Sequence, residues 1–134
     1  ESRGIALSTV SDSNLSLVQN VISVKVESAD GADWELLGYL DQQGGKRLIR
    51  VNDFHIDVLL DGPLLMVLNE DVPGVVGEVG TLLGNNAVNI AEYSLSRLEG
   101  DTALSLIKCD SAPTEGIIEK LKSISSIKTC YFLG

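Results

Sequence analysis

The stretch Leu65-Met66-Val67-Leu68-Asn69-Glu70-Asp71-Val72-Pro73-Gly74-Val75-Val76, followed by Asn85-Asn86-Ala87-Val88-Asn89-Ile90-Ala91, has the residue types to hold a small polar ligand. An apolar strand runs into a short polar corner. A Pro-Gly step then opens an amphipathic helix, and a second strand begins at Val-Asn-Ile. A ligand carboxylate can lie against the backbone N–H groups at that helix start, where the helix dipole favours an anion. Gly74 has no Cβ and lets a ligand approach the main chain. Asp71 can receive an ammonium through a charge-assisted hydrogen bond, and Asn69 can both donate and accept. None of this needs a catalytic residue, so the corner suits sensing a metabolite rather than transforming one. Taken singly, Asp71 is as well read as a helix cap and Asn89 as a turn cap; with Asn69 at these offsets, the set favours a ligand.

Other chemistry is sparse. Lys46, Arg47 and Arg50 gather three of the five cations of residues 1–60. They read first as a solvated hairpin and, as the alternative, as a phosphate or carboxylate site. Gly74, Gly77 and Gly80 fall within the helix and lack the spacing of a dinucleotide-binding loop, so they read as packing. His55 is the lone histidine, with no ligand partner nearby for a metal. Cys109 and Cys130 have no CxxC spacing and read as buried free thiols of a cytoplasmic protein. No Ser/His/Asp, Cys/His or paired-carboxylate constellation stands out.

These residues must be positioned by a small scaffold. The chain has 134 residues, 44% of them hydrophobic, and a net charge of −9. That suffices for one ordinary domain or two small ones. The charge argues against nucleic acid or an anionic membrane as partner, since both demand a basic footprint. No apolar run reaches the ~20 residues of a membrane span. Residue 1 is Glu, and Glu1-Ser2-Arg3-Gly4 has no start signature, so a piece of a longer protein is expected.

Residues 1–60 read as all-β. Strands are expected at 5–10, 18–26, 34–40, 47–51 and 54–60, with period-two alternation from Ile22 in the second and from Phe54 in the last. Turn clusters at 29–33 and 41–45 separate them. In 18–26 the apolar positions from Ile22 onward face inward, as do Phe54, Ile56, Val58 and Leu60 in the last strand; Trp34 and Tyr39 read as core or interface fillers. Asp61-Gly62-Pro63 breaks the chain. Residues 61–134 then alternate: strand 64–69, helix 73–84, strands 88–97 and 102–109, a second helix from 111–115, and strand 128–133. Val75, Val76, Val79, Leu82 and Leu83 share one face of the first helix, with Pro73 in its first turn and Gly84 at its end. The inward face of the second helix carries Ile117, Ile118, Leu121 and Ile124. The order βαββαβ is a ferredoxin-like sandwich with two helices over one sheet face. The fold class is therefore α+β, a β-rich domain at 1–60 before a βαββαβ domain at 61–134.

With its Asn69–Val75, Gly80–Gly84 and Val88–Ala91 segments, the second domain resembles an ACT domain, the small-molecule regulatory module of amino-acid metabolism. Ile49-Arg50-Val51-Asn52-Asp53-Phe54-His55-Ile56-Asp57 resembles the intervening, or allosteric substrate-binding, domain of long-form D-3-phosphoglycerate dehydrogenases. The resemblance implies a regulatory, C-terminal region that senses L-serine for an NAD-dependent enzyme of serine biosynthesis. It implies a homodimer through ACT sheet edges, within a tetramer of the parent. It assigns effector contacts to Asn69, Asp71 and, across the dimer, Asn89, to which the Pro-Gly helix start read above adds Pro73 and Gly74. Some relatives carry His or Tyr where Asn69 stands and Asn where Asp71 stands. It also brings Lys46, Arg47 and Arg50 under comparison with the family's anion sites. Two alternatives are a regulatory region of an iron–sulfur L-serine dehydratase β subunit and a free-standing ACT-type oligomerisation module.

Overall fold

The computed structural model describes residues 5–10, 21–28 and 31–133, the first six by backbone alone. The expected strand start at 18–20 and two residues of the 29–33 turn lie outside them. The chain divides into two units, Glu1–Asp61 and Gly62–Gly134.

The first unit is an antiparallel meander of β1 (Ile5–Val10), β2 (Val21–Ser28), β3 (Asp33–Leu40), β4 (Lys46–Val51) and β5 (Phe54–Leu59), with each strand paired to the next. Val26, Trp34, Leu36, Leu48, Val51, Phe54 and Val58 are buried, as the alternation requires. Ile22 departs from the expected inward pattern and is 40% exposed. Its cross-strand neighbour is Gly38, which offers no side chain to pack on. Leu60, expected inward, is likewise exposed just past the end of β5. In the β3–β4 turn, the Asp41 Oδ1 accepts from the backbone N–H groups of Gln43 and Gly45 at 2.9 and 2.7 Å. A Cβ on Gly38 would stand 2.7 Å from the Arg47 carbonyl oxygen, where the β3–β4 register slips. Ile49 is the extra residue of that slip: Gly38 pairs with Leu48, and Leu37 with Arg50. Such a bulge turns every later side chain of its strand to the other face.

The second unit consists of β6 (Leu64–Glu70), α1 (Val75–Asn85), β7 (Ile90–Arg97), β8 (Thr102–Cys109), α2 (Glu115–Lys122) and β9 (Ile127–Leu133). The sheet order is β7-β8-β6-β9, antiparallel throughout. This is the expected βαββαβ sandwich. Leu65, Val67, Ile107, Cys109 and Cys130 of the sheet pack with Val75, Val79 and Leu83 of α1 and Ile117, Ile118 and Leu121 of α2. Full burial of each large apolar side chain here stabilises the fold by about 1.5–3 kcal/mol. Thr114 caps α2, its Oγ1 accepting from the Ile117 N–H.

Helix α1 begins two residues later than its sequence suggests. Gly74 has φ +93°, outside the helical region, so it stands before the helix as its N-cap and Pro73 lies in the loop. The helix ends past Gly84. Ala87 N–H donates to the Gly84 carbonyl and Val88 N–H to the Leu83 carbonyl, with Ala87 at φ +61°. That is a Schellman closure with alanine where glycine is usual. Ala87→Gly is expected to raise the melting temperature slightly. Relief of a left-handed alanine is worth ~1–2 kcal/mol, against ~0.5–1 kcal/mol for the freedom glycine adds to the unfolded chain. A lower melting temperature in thermal denaturation would contradict this.

Candidate functional site

The polar corner joins the end of β6 to the start of α1. Asn69 is the last inward residue of β6 and is only 3% exposed. Its Nδ2 donates to the Glu70 carbonyl at 2.8 Å, and its Oδ1 accepts from the Ser105 hydroxyl at 3.1 Å. Ser105 in turn accepts from the Tyr93 hydroxyl at 2.9 Å. Three side chains from β7, β8 and β6 thus form one polar line across the sheet. Burial pushes the Tyr93 hydroxyl pKa up, and the Ser105 bond partly offsets this. The Asn69 amide makes one bond through each end, which holds the chain just before Asp71 and leaves a second N–H and a second lone pair.

Asp71 does not cap α1. Gly74 stands at the N-cap and makes no side-chain bond to that helix, and the Asp71 carboxylate turns instead to Arg97 at the end of β7. The Arg97 Nε donates to Asp71 Oδ2 at 2.8 Å. The Asp71 side chain is 19% exposed and that of Arg97 is 66% exposed. The Asp71 backbone is held as well, its N–H donating to the Asp101 carbonyl. The corner therefore presents a carboxylate and a guanidinium side by side, on the chain leading into a helix whose N-cap is a glycine. Pro73 and Gly74 are both exposed there.

Asn89 sits elsewhere. It precedes β7, and its Nδ2 donates to Asp110 Oδ2 at 2.6 Å while its carbonyl accepts from the Asp110 N–H. Arg97, beside Asp71, closes the same strand. Eight residues of strand at ~3.3 Å each separate the two ends by roughly 25 Å. Within one chain, then, Asn69, Asp71, Pro73 and Gly74 come together, and Asn89 does not join them.

Lys46, Arg47 and Arg50 of the first unit do not all converge either. With Ile49 bulged, Arg47 and Arg50 lie on one sheet face, and Lys46 lies on the other with its neighbour Leu40. Arg47 is bound to Asp57 at 2.6 Å and Arg50 to Glu35 at 3.0 Å. The Nε of Arg50 is buried without a partner. Among the described residues, no group of three or more His, Cys, Asp or Glu side chains could hold a metal.

Arg97, Ser105 and Tyr93 are the residues that reading along the chain passes over. Arg97 reaches Asp71 across 26 positions and Ser105 reaches Asn69 across 36. Only the strand order brings them together. Their one trace in the sequence is polarity at positions where a strand would otherwise be apolar.

Residues 64–126 match the ACT domain family. The chain is 32% identical over 126 residues to a D-3-phosphoglycerate dehydrogenase of Bacillus subtilis, covering 93% of this chain and 24% of that protein. It is 30% identical over 129 residues to a D-3-phosphoglycerate dehydrogenase of Archaeoglobus fulgidus, covering 93% and 24%. A Mycobacterium tuberculosis protein of the same name is 34% identical over 94 residues, covering 69% and 18%. The chain thus spans about a quarter or less of the length of these relatives. The matched residues hold the polar corner, α1 and the frame as far as the turn after α2, and β9 lies beyond them. The chain carries an ACT domain at residues 64–126 and is homologous to the regulatory region of D-3-phosphoglycerate dehydrogenase.

Proposed function

We propose that this chain senses free L-serine as the regulatory part of an NAD-dependent D-3-phosphoglycerate dehydrogenase of serine biosynthesis, in the cytoplasm. NAD and the dehydrogenase chemistry belong in this reading to the rest of the parent enzyme, and no residue of the chain is assigned to them. The observation that carries the reading is the corner of Asp71 and Gly74 at an uncapped helix start, on a chain homologous to such dehydrogenases. An amino acid brings an ammonium for Asp71 and a carboxylate for the region of the helix N–H groups.

The site is completed by a second copy. Strand β7 is an edge of its sheet, and an open edge pairs readily with another strand. Two β7 strands meeting antiparallel about a two-fold axis set the Asn89 end of one against the Arg97 end of the other. Asn89 of one copy then faces the Asp71 corner of its mate, and each ligand is shared. Among the described residues, four of the seven exposed large apolar side chains, Val72, Val76, Leu95 and Leu98, belong to the corner, α1 and the end of β7, which supports a seam there. Two such dimers would make the parent a tetramer. A stable monomer at high micromolar concentration in sedimentation would contradict the seam.

Isothermal titration with L-serine, D-serine and glycine tests the ligand. Loss of a charge-assisted partner costs ~1.5–3 kcal/mol, so Asp71→Ala is expected to weaken L-serine binding about tenfold or more. An absence of heat up to millimolar L-serine, or binding indifferent to Asp71→Ala, would overturn the serine reading.

A further inference from the structure

We infer that Asp71 and Arg97 act as a matched pair that recognises both charged ends of an α-amino acid, with Arg97 as the residue that takes the carboxylate. The inference rests on the amino-acid-sensing reading above and adds to it a residue and a rule of selectivity. The Arg97 guanidinium meets Asp71 through Nε alone; among the described residues it makes no other hydrogen bond. Its outer edge, with the side chain two-thirds exposed, keeps the planar fork of donors that suits a carboxylate. An exposed ion pair is weakly held, so a ligand can loosen it at little cost. An α-amino acid carries an ammonium and a carboxylate on one carbon. Set against the pair, it closes a ring of four alternating charges: Asp71, ammonium, carboxylate, Arg97. The N-terminus of α1 begins four residues after Asp71, and its dipole favours an anion nearby.

The arrangement discriminates by charge pattern. A hydroxy acid such as D-glycerate has serine's carbon count but no ammonium, and leaves Asp71 facing another anion. An amide such as L-serinamide keeps the ammonium and leaves Arg97 without its partner. Both are therefore rejected, and so is any phosphorylated hydroxy acid. Arg97 gives the corner a requirement for a free carboxylate, and Asp71 gives it a requirement for a free ammonium.

Isothermal titration of the 134-residue chain and its Arg97→Gln and Arg97→Lys variants with L-serine, L-serinamide and D-glycerate tests this. The native chain is expected to prefer L-serine to L-serinamide at least tenfold and to ignore D-glycerate. In Arg97→Gln, L-serine binding should fall about tenfold with L-serinamide nearly unchanged, so that the preference collapses. Arg97→Lys, which keeps the charge and loses the fork, should fall between. Arg97 is exposed, and circular dichroism of each variant will verify that it folds. If Arg97→Gln keeps the native preference, or loses affinity for L-serine and L-serinamide alike, Arg97 is merely a structural partner of Asp71 and the inference fails while the sensing reading stands. If the native chain binds no L-serine, both fall.

Discussion

Val79→Asp is expected to unfold the ACT unit, whereas Val76→Asp, three residues earlier on the same helix, is expected to leave it folded. Val79 is fully buried in the core that α1 shares with the sheet and α2. A carboxylate there has no partner and no water, and such substitutions sit at the severe end of measured effects, above about 4 kcal/mol. Val76 is 49% exposed, and a surface change away from special features shifts stability by only about 0.5 kcal/mol. Chemical denaturation followed by circular dichroism separates the two. Val76→Asp has a second expected result, because Val76 lies on the proposed seam. A charge repeated across a two-fold axis repels its own copy, so the variant should sediment as a monomer at concentrations where the native chain pairs. Equal destabilisation by the two variants would mean that Val76 is buried within a single chain, and would remove the exposed apolar strip from the argument for a seam.

The chain is expected to lose stability steeply between about pH 9 and pH 12, with Cys130 as the main single cause. Cys130 is 1% exposed, in the core between the sheet and α2. Burial pushes its thiol from 9.0 up to about 12, with Lys122 pulling weakly the other way. The folded value lies above the unfolded one, so the folded state holds a proton that the unfolded state gives up. The stability tied to that proton is complete below about pH 9 and is lost as pH rises toward the folded value. Over that window the loss is about 4 kcal/mol. Cys109 and Tyr93 are raised by burial as well and act in the same direction. Melting temperatures at pH 8 to 11 should fall less for Cys130→Val than for the native chain. Parallel decline of the two would show that the thiol does not drive it. Below pH 9 the same burial keeps both thiols protonated and shielded, so a thiol-reactive dye should label neither until the chain unfolds.

Much of this molecule is legible along the chain. Period-two alternation in 22–26 and 54–60 reports strands, because adjacent strand residues face opposite sides whatever they pack against. The spacing of Val75, Val79 and Leu83 reports a helix for the same kind of local reason. The Asn69–Val75 and Val88–Ala91 segments carry the resemblance to an ACT domain, and residues 64–126 match that family. The order βαββαβ follows from these pieces in sequence.

What the tertiary structure decided are matters of register and partner. Gly74 at positive φ delays α1 until Val75, and packing then rotates Val76 out of the face on which spacing had set it beside Val79. One extra residue, Ile49, turns Arg50 to the side of Arg47 and leaves Lys46 on the other, so three neighbouring cations never form a cluster. Asn69, outwardly a ligand-facing amide, is held under the helix by Ser105. Asp71, outwardly a cap, is bound to Arg97. Each outcome depends on which strand lies beside which and in what alignment. A run of residues records its own backbone preferences and its apolar period, but a hydrogen bond or ion pair across 26 or 36 positions exists only once the strands that carry its two ends are aligned.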